Sequence, residues 1–207
     1  MTDPTQKLVS PARTHRFADR LRLPIATDVG RLRTDLDRVQ DQAWVAHFVP
    51  QNYAGDWSVL PLRGPIGETH PVRMIAPLPG AAGYADGPLM ARTPYIRALL
   101  GEFRCPLQCV RLMRLTAGSQ IKTHSDYDLA FEDGHVRLHI PIVTNPGVEF
   151  RVNGTVAPMD AGEVWYVRLA DPHSVDNRGD TDRIHLVIDA EANDWLDALF
   201  ERAAAGG

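Results

Sequence analysis

Residues 123–128 read THSDYD and set His124 and Asp126 two positions apart. In extended backbone, alternate side chains share a face, so this imidazole and this carboxylate can point the same way. A metal site built on them needs a third donor from another element. His173, in ADPHSVDN, lies just past a loop at the start of a strand pattern. Two imidazoles and one carboxylate on one face of a cation suit Fe(II), because neighbouring positions stay open for substrate and dioxygen. By itself the H-x-D pattern is weak evidence, since a polar surface turn or a helix N-cap looks the same.

Arg183, on the next strand pattern, adds weight. An iron oxygenase using 2-oxoglutarate needs two open metal positions for the oxo group and its adjacent carboxylate. It also needs a cation some ångströms away for the distal carboxylate. Arginine presents a planar fork that binds carboxylates bidentately and keeps its charge when buried.

The elements that must position these groups follow from periodicity. Residues 1–25 are polar, proline-punctuated and aperiodic, and read as a loosely ordered N-terminal arm. Over residues 28–45, Val29, Leu32, Leu36, Val39 and Trp44 recur at helical spacing. GDWSVLPLRG predicts a strand, with Pro61 implying an edge position. Residues 64–92 are rich in Gly, Pro and Ala, a long connection of the kind that shapes binding sites. A second helix is predicted over residues 94–103, after Thr93 as N-cap and with proline at the first helical position.

Beyond Cys105 the texture changes to short alternating segments: QCVRLMRL, HVRLHIPIV, VEFRV, TVAPM, EVWYVRL and RIHLVID. Asn153-Gly154 is a two-residue hairpin signal. Strands at this spacing predict an antiparallel barrel or jelly roll. EANDWLDALFERAA closes the chain as an amphipathic helix. Val136, Leu138 and Ile140 share one strand face, with Arg137 and His139 on the other. Likewise Arg183 and His185 lie opposite Ile184, Leu186 and Ile188. The polar faces can line a pocket while the aliphatic faces pack on the N-terminal helices.

At 207 residues the chain suffices for one sizeable core, so residues 26–207 are expected to form a single domain with its β core over about 105–190. A net charge of −4 argues against a nucleic-acid footprint. No apolar run approaches the length of a membrane helix and no apolar leader is visible, which points to a cytoplasmic protein away from membranes. Cys105 and Cys109 have no second pair to complete a structural zinc site and read as reduced, buried thiols.

HSD (124–126), VRLHIPIVTNP (136–146) and GEVWYVRLADPHSVDNRGDTDRIHLVID (162–189) resemble the aspartyl/asparaginyl/proline hydroxylase family of Fe(II)- and 2-oxoglutarate-dependent dioxygenases. The similarity is strong over about 105–190 and weaker before it, where Trp44, GDW and LPLRG echo the family's early segment. The resemblance implies a mainly β, double-stranded β-helix (jelly-roll, cupin-like) core with flanking N- and C-terminal helices. It implies that His124, Asp126 and His173 ligate iron and that Arg183 pairs with the distal carboxylate of 2-oxoglutarate. It puts His139 near the cosubstrate, and Arg137 in the pocket against a carboxylate of cosubstrate or substrate. The implied reaction consumes dioxygen and 2-oxoglutarate, yields succinate and carbon dioxide, and hydroxylates an amino acid, proline-like or of Asp/Asn type, free or within a peptide. Asp126 makes the triad complete, as in the bacterial members and unlike the animal peptide hydroxylases.

Two other readings stay open: a cupin-like metalloenzyme without 2-oxoglutarate, which would not need Arg183, and a non-catalytic ligand-binding barrel. His15, His47, His70 and His135 read as surface or structural groups. Trp44, Trp165 and Trp195 read as core, and Arg63 and Arg92 as solvated. Tyr127, Trp57 and His185 are not assigned by the sequence, nor is the oligomeric state. The segment FEDGH (131–135) reads as a substrate lid.

Overall fold

The computed structural model describes residues 15–206. In chain order these form β1 (Arg20–Leu23), α1 (Val29–Asp37), β2 (Val45–Ala46), β3 (Tyr53–Ala54), β4 (Trp57–Pro65), β5 (Tyr84–Asp86) and α2 (Pro94–Leu100). Next come β6 (Leu107–Leu115), β7 (Gln120–His124), β8 (His135–Val143), β9 (Val148–Val152) and β10 (Thr155–Ala157). β11 (Val164–Val167), β12 (His173–Asn177), β13 (Arg183–Glu191) and α3 (Asp194–Ala205) complete the chain.

The strands make two antiparallel sheets. The larger has the order β1-β11-β8-β13-β6-β4-β2, with β5 also on β4; the smaller has the order β10-β9-β12-β7-β3. This is the expected jelly roll. Side-chain alternation divides the apolar residues into two cores. Leu138, Ile140, Leu186 and Ile188 on the outer face of the larger sheet pack with Leu32 and Leu36 of α1, Ile96 and Leu99 of α2, and Leu196 and Phe200 of α3. Val59, Met113, Phe150, Trp165, Val175 and Val187 fill the space between the sheets. Each such fully buried aliphatic side chain contributes about 1.5–3 kcal/mol over exposure. The polar strand faces therefore look inward, into a partly apolar interior, rather than out to water.

Local chemistry sets the element ends. The Asp28 side chain accepts from Arg31 N at 3.0 Å and caps α1, and Asn193 does the same for α3 through Leu196 N at 3.1 Å. Asn153 (φ 49°) and Gly154 (φ 76°) adopt the left-handed pair that a tight hairpin between β9 and β10 requires. Gly147 sits so close to the loop before β13 that a Cβ there would fall 2.4 Å from Gly179 N. Asn145, two residues before it, binds Asn177 Oδ1 and the Thr181 carbonyl through Nδ2 at 3.1 and 3.0 Å.

Several expectations are corrected. The N-terminal arm is not loose up to residue 25: β1 pairs with β11, and Phe17 packs edge-on to Phe131 and Phe200 at 5.0 and 5.3 Å. The burial that a sheet edge offers outweighs the segment's weak periodicity; residues 1–14 lie outside those described. α1 stops at Asp37, because Val39 and Gln40 close a turn on the Leu36 carbonyl and Val45 joins β4 opposite Val59. α2 ends at Leu100, and Thr93 turns its hydroxyl to the Met90 carbonyl while Asp35 Oδ2 accepts from Ile96 N at 2.8 Å. β4 is not an edge strand: it lies between β6 and the short β2 and β5. Pro61 is tolerated because it sits beside a register shift and between the stretches paired by β2 and β5.

Candidate metal centre

β7 and β12 bring His124 and His173 together as register partners, with ring centroids 4.3 Å apart. Asp126 follows β7, its backbone N–H donating to the Leu169 carbonyl at 2.8 Å, which ties the two loops. One ligand atom from each of His124, Asp126 and His173 lies within 4.8 Å of the others. Asp128 takes a left-handed φ of 63°, a conformation aspartate tolerates better than most residues, and so turns the chain away after Asp126.

The donor set fits a divalent cation. His124 Nδ1 lies 2.8 Å from the Lys122 carbonyl, and His173 Nδ1 lies 3.0 Å from the Asp171 carbonyl. A carbonyl only accepts, so Nδ1 carries the proton in both rings and Nε2 presents its lone pair. This backbone anchoring is typical of metal-binding histidines. Burial lowers the pKa of His173. Asp126 is held at its other oxygen: Oδ1 is 3.7 Å from His124 Nε2, while Oδ2 accepts from Arg137 Nη1 at 2.9 Å. One oxygen is thus directed to the cation position and the other is braced.

Arg137 lines this site's cavity, as expected, and its guanidinium is held by carboxylates of the protein itself. Its Nε and Nη2 donate to Asp189 Oδ1 and Oδ2 at 2.6 and 3.3 Å, across a direct β8–β13 register pair. With Nη1 on Asp126, its N–H groups are largely committed to protein carboxylates. Asp189 also receives Arg111 Nη1 at 2.7 Å. Burial would raise the Asp189 pKa, but Arg111 and Arg137 together hold it below the ordinary carboxylate value. Arg111, 1% exposed, is a participant that the sequence reading missed. Its alternation within QCVRLMRL placed it on the inner face with Met113 and was the available signal.

Arg183 stands apart. It is 2% exposed, no described carboxylate pairs with it, and burial pulls its pKa down to about 9. Its Nη2 donates to His185 Nδ1 at 2.8 Å, which assigns the remaining His185 proton to Nε2. Arg183 Nε–H and His185 Nε2–H are both buried without a described partner, as are both ring nitrogens of His139. Burial, then the Arg183 charge, holds His139 and His185 well below the usual histidine pKa, so both rings are neutral. The guanidinium thus keeps one free N–H and lies next to a second free donor on His185, and each unpaired buried polar group is costly.

Against His124 and Asp126 opens a cavity of about 610 Å³, lined also by His47, Trp57, Gln108 and Arg111 among others. Residues 75–79 of the long connection form part of its wall, as expected of that segment. His47 and His135 belong to this lining rather than to the outer surface. His47 stacks on Trp57 at 3.5 Å, and burial lowers its pKa to about 3. Tyr127, 90% exposed, stands at the mouth. FEDGH is not the lid: Phe131 packs with Phe17, Glu132 accepts from Arg16 N at 2.7 Å, and only His135 reaches the cavity. Its phenylalanine and its N-terminal partner anchor it to the helix side. Arg63 pairs with Asp86 at 3.0 Å, and Arg92 lies 3.6 Å from Asp41, so neither faces the cavity. Cys105 and Cys109 are free and buried. No helix of the described residues is long and apolar enough to cross a membrane.

Comparison with known proteins gives a consistent picture. A family model described as Aspartyl/Asparaginyl beta-hydroxylase matches residues 27–193. L-proline cis-4-hydroxylase of Rhizobium meliloti (strain 1021) is 31% identical over 115 residues, covering 55% of this chain. That match covers 41% of the relative, so the chain spans about two fifths of its length. Among solved structures, a 2OG-Fe(II) oxygenase family oxidoreductase from Burkholderia pseudomallei superposes with a TM-score of 0.51 at 17% identity, over 80% of this chain and 79% of that one. HygX from Streptomyces hygroscopicus, solved with nickel, 2-oxoglutarate and hygromycin B, gives 0.53 at 12% identity, over 86% of this chain and 84% of that one. At these identities the likeness to the solved structures is one of fold.

Proposed function

The chain belongs to the aspartyl/asparaginyl beta-hydroxylase family, and from that premise we propose that it is an Fe(II)- and 2-oxoglutarate-dependent hydroxylase of a small amino-acid substrate. His124 Nε2, Asp126 Oδ1 and His173 Nε2 hold the iron. Arg183 and His185 Nε2–H take the distal carboxylate of 2-oxoglutarate, and neutral His139 lines the cosubstrate's path. The observation that carries this reading is the buried, uncompensated Arg183 beside a second unsatisfied donor.

When bound, iron and 2-oxoglutarate supply the oxidising chemistry: dioxygen is consumed, the keto acid leaves as succinate and carbon dioxide, and one oxygen atom enters an unactivated C–H bond. The protein's own residues bind, orient and exclude water. Arg137 keeps Asp126 in one orientation through Oδ2, and Asp189 keeps Arg137 in place. Phe150, 5.6 Å from the Arg183 guanidinium, and Val175 keep the interior dry, so the ion pair formed there is weakly screened. The proline hydroxylase relative supports a free amino acid, proline-like, over a peptide.

The test is anaerobic addition of Fe(II) and 2-oxoglutarate, followed by the visible charge-transfer absorption of the chelate. The band is expected in the wild type and lost or right-shifted in titration for Arg183→Met. Well-folded wild-type protein without the band would overturn the cosubstrate assignment, and full activity in Arg183→Met would favour a metalloenzyme that uses no keto acid.

A further inference from the structure

Setting aside Asp197 Oδ1, which lies 2.7 Å from Arg16 Nη1, the described buried side-chain atoms without a hydrogen-bond partner fall into two clusters. One is the His139, Arg183 and His185 group already assigned. The other is His47 Nδ1, Trp57 Nε1, Gln108 Oε1 and His135 Nδ1, and all four of these residues line the cavity that His124 and Asp126 also line. Buried polar groups in native proteins are almost always paired, so a second cluster confined to one cavity is itself a sign of a ligand.

The chemistry of that cluster is specific. Gln108 is 5% exposed, and its Nε2 donates to Glu191 Oε1 at 3.2 Å. A carboxylate only accepts, so this contact fixes which end of the amide is nitrogen and leaves Oε1 as the free acceptor. Indole Nε1 is a donor only, and Trp57 is 7% exposed. Trp57 is clamped by His47, whose backbone N–H donates to the Trp57 carbonyl at 2.8 Å and whose ring stacks on it at an interplanar angle of 12°. An acceptor and a donor, each fixed by its own contacts, thus belong to residues lining the same cavity.

We propose that Gln108 and Trp57 are specificity-determining residues that grip the amino-carboxylate head of a free amino acid, Gln108 Oε1 accepting a substrate N–H and Trp57 Nε1–H donating to a substrate carboxylate oxygen. His47 is the positioning residue for Trp57. The proposal rests on the hydroxylase reading above and extends it to the part of the substrate that is recognised. Because Gln108 is neutral, it discriminates by the presence of the N–H rather than by charge. A site built to hydrogen-bond a group rejects analogues lacking it far more strongly than an apolar pocket does.

The experiment uses full-length protein loaded anaerobically with Fe(II) and 2-oxoglutarate. Perturbation of the charge-transfer band is titrated with the proteinogenic amino acids, then with an acetylated derivative of whichever binds that carries no N–H: N-acetyl for proline, N-acetyl-N-methyl for a primary amino acid. In the wild type, N-acetylation is expected to weaken binding roughly tenfold or more. Gln108→Leu should weaken the parent amino acid by a similar factor, leave the 2-oxoglutarate titration unchanged, and make N-acetylation cost nothing further. Trp57→Phe should weaken the parent likewise and leave the N-acetyl penalty in place.

An N-acetyl penalty that persists in Gln108→Leu would mean that the acetyl group merely clashes, and the proposal falls. It falls equally if the wild type binds both forms alike, or if the band forms and no free amino acid perturbs it. The wild-type comparison stands without any variant, should Gln108→Leu not fold. Absence of the band in the wild type would instead overturn the cosubstrate reading, a distinguishable failure.

Discussion

His124 faces His173 directly across the β7–β12 pair, although four strands, β8 to β11, separate them in the chain. Each ring is pinned by a backbone carbonyl at Nδ1, so the two Nε2 atoms converge without help from a bound ion. A preorganised pair of this kind sets the first prediction.

His173→Ala should lower Fe(II) affinity by more than the roughly 10–100-fold that losing an outer partner costs, and should leave the sheet intact. Metal titration by calorimetry, with circular dichroism as the fold control, checks it; unchanged Fe(II) affinity would remove His173 from the centre.

Arg183→Met separates ligand binding from stability. The Kd for 2-oxoglutarate should rise by about 2–5 kcal/mol equivalent, because a buried hydrogen-bonded charge pair can no longer form. In protein free of iron and 2-oxoglutarate, the same variant should melt no lower than wild type, since it removes a buried cation that has no counterion. A markedly lower Tm would show that Arg183 has a structural partner.

Asp189→Asn should behave in the opposite way. It leaves Arg111 and Arg137 without their shared anion, at a cost of about 3–5 kcal/mol in urea denaturation. The folded Asp189 pKa lies below its ordinary value, so its contribution is fully present above the unfolded pKa of about 3.9 and is lost as pH falls through the lower folded value. The difference between wild type and Asp189→Asn should therefore shrink only in strong acid. A difference that vanished near pH 6 would contradict the assignment.

His47 gives a pH effect in a different window. Its folded pKa is about 3 against about 6.5 unfolded, so below pH 6.5 the unfolded chain takes up a proton that the folded one refuses. Stability is complete above pH 6.5 and falls toward pH 3, with a slope of about 1.4 kcal/mol per pH unit from this residue. His47→Phe should keep the stack on Trp57 and lessen the wild-type slope between pH 6 and 4 by about one proton. An unaltered slope would mean that His47 is solvated.

The sequence by itself determined the β architecture, because period-two alternation in HVRLHIPIV and RIHLVID is a local property that any antiparallel sheet with one apolar face must obey. It also determined the ligand candidates, because residue type alone restricts which side chains can hold iron or a dicarboxylate. What it left undecided were contacts between distant segments. Residues 15–25 carry too little periodicity to announce β1, whose pairing with β11 exists only once a sheet edge is there to receive it. Arg137 looked like a free cation until Asp189, its cross-strand partner, was seen to take its guanidinium. His47, Gln108 and Arg111 have no motif, since a cavity wall is assembled from separate strands and loops. Local spacing encodes which face a side chain occupies; only the closed jelly roll decides what stands opposite it.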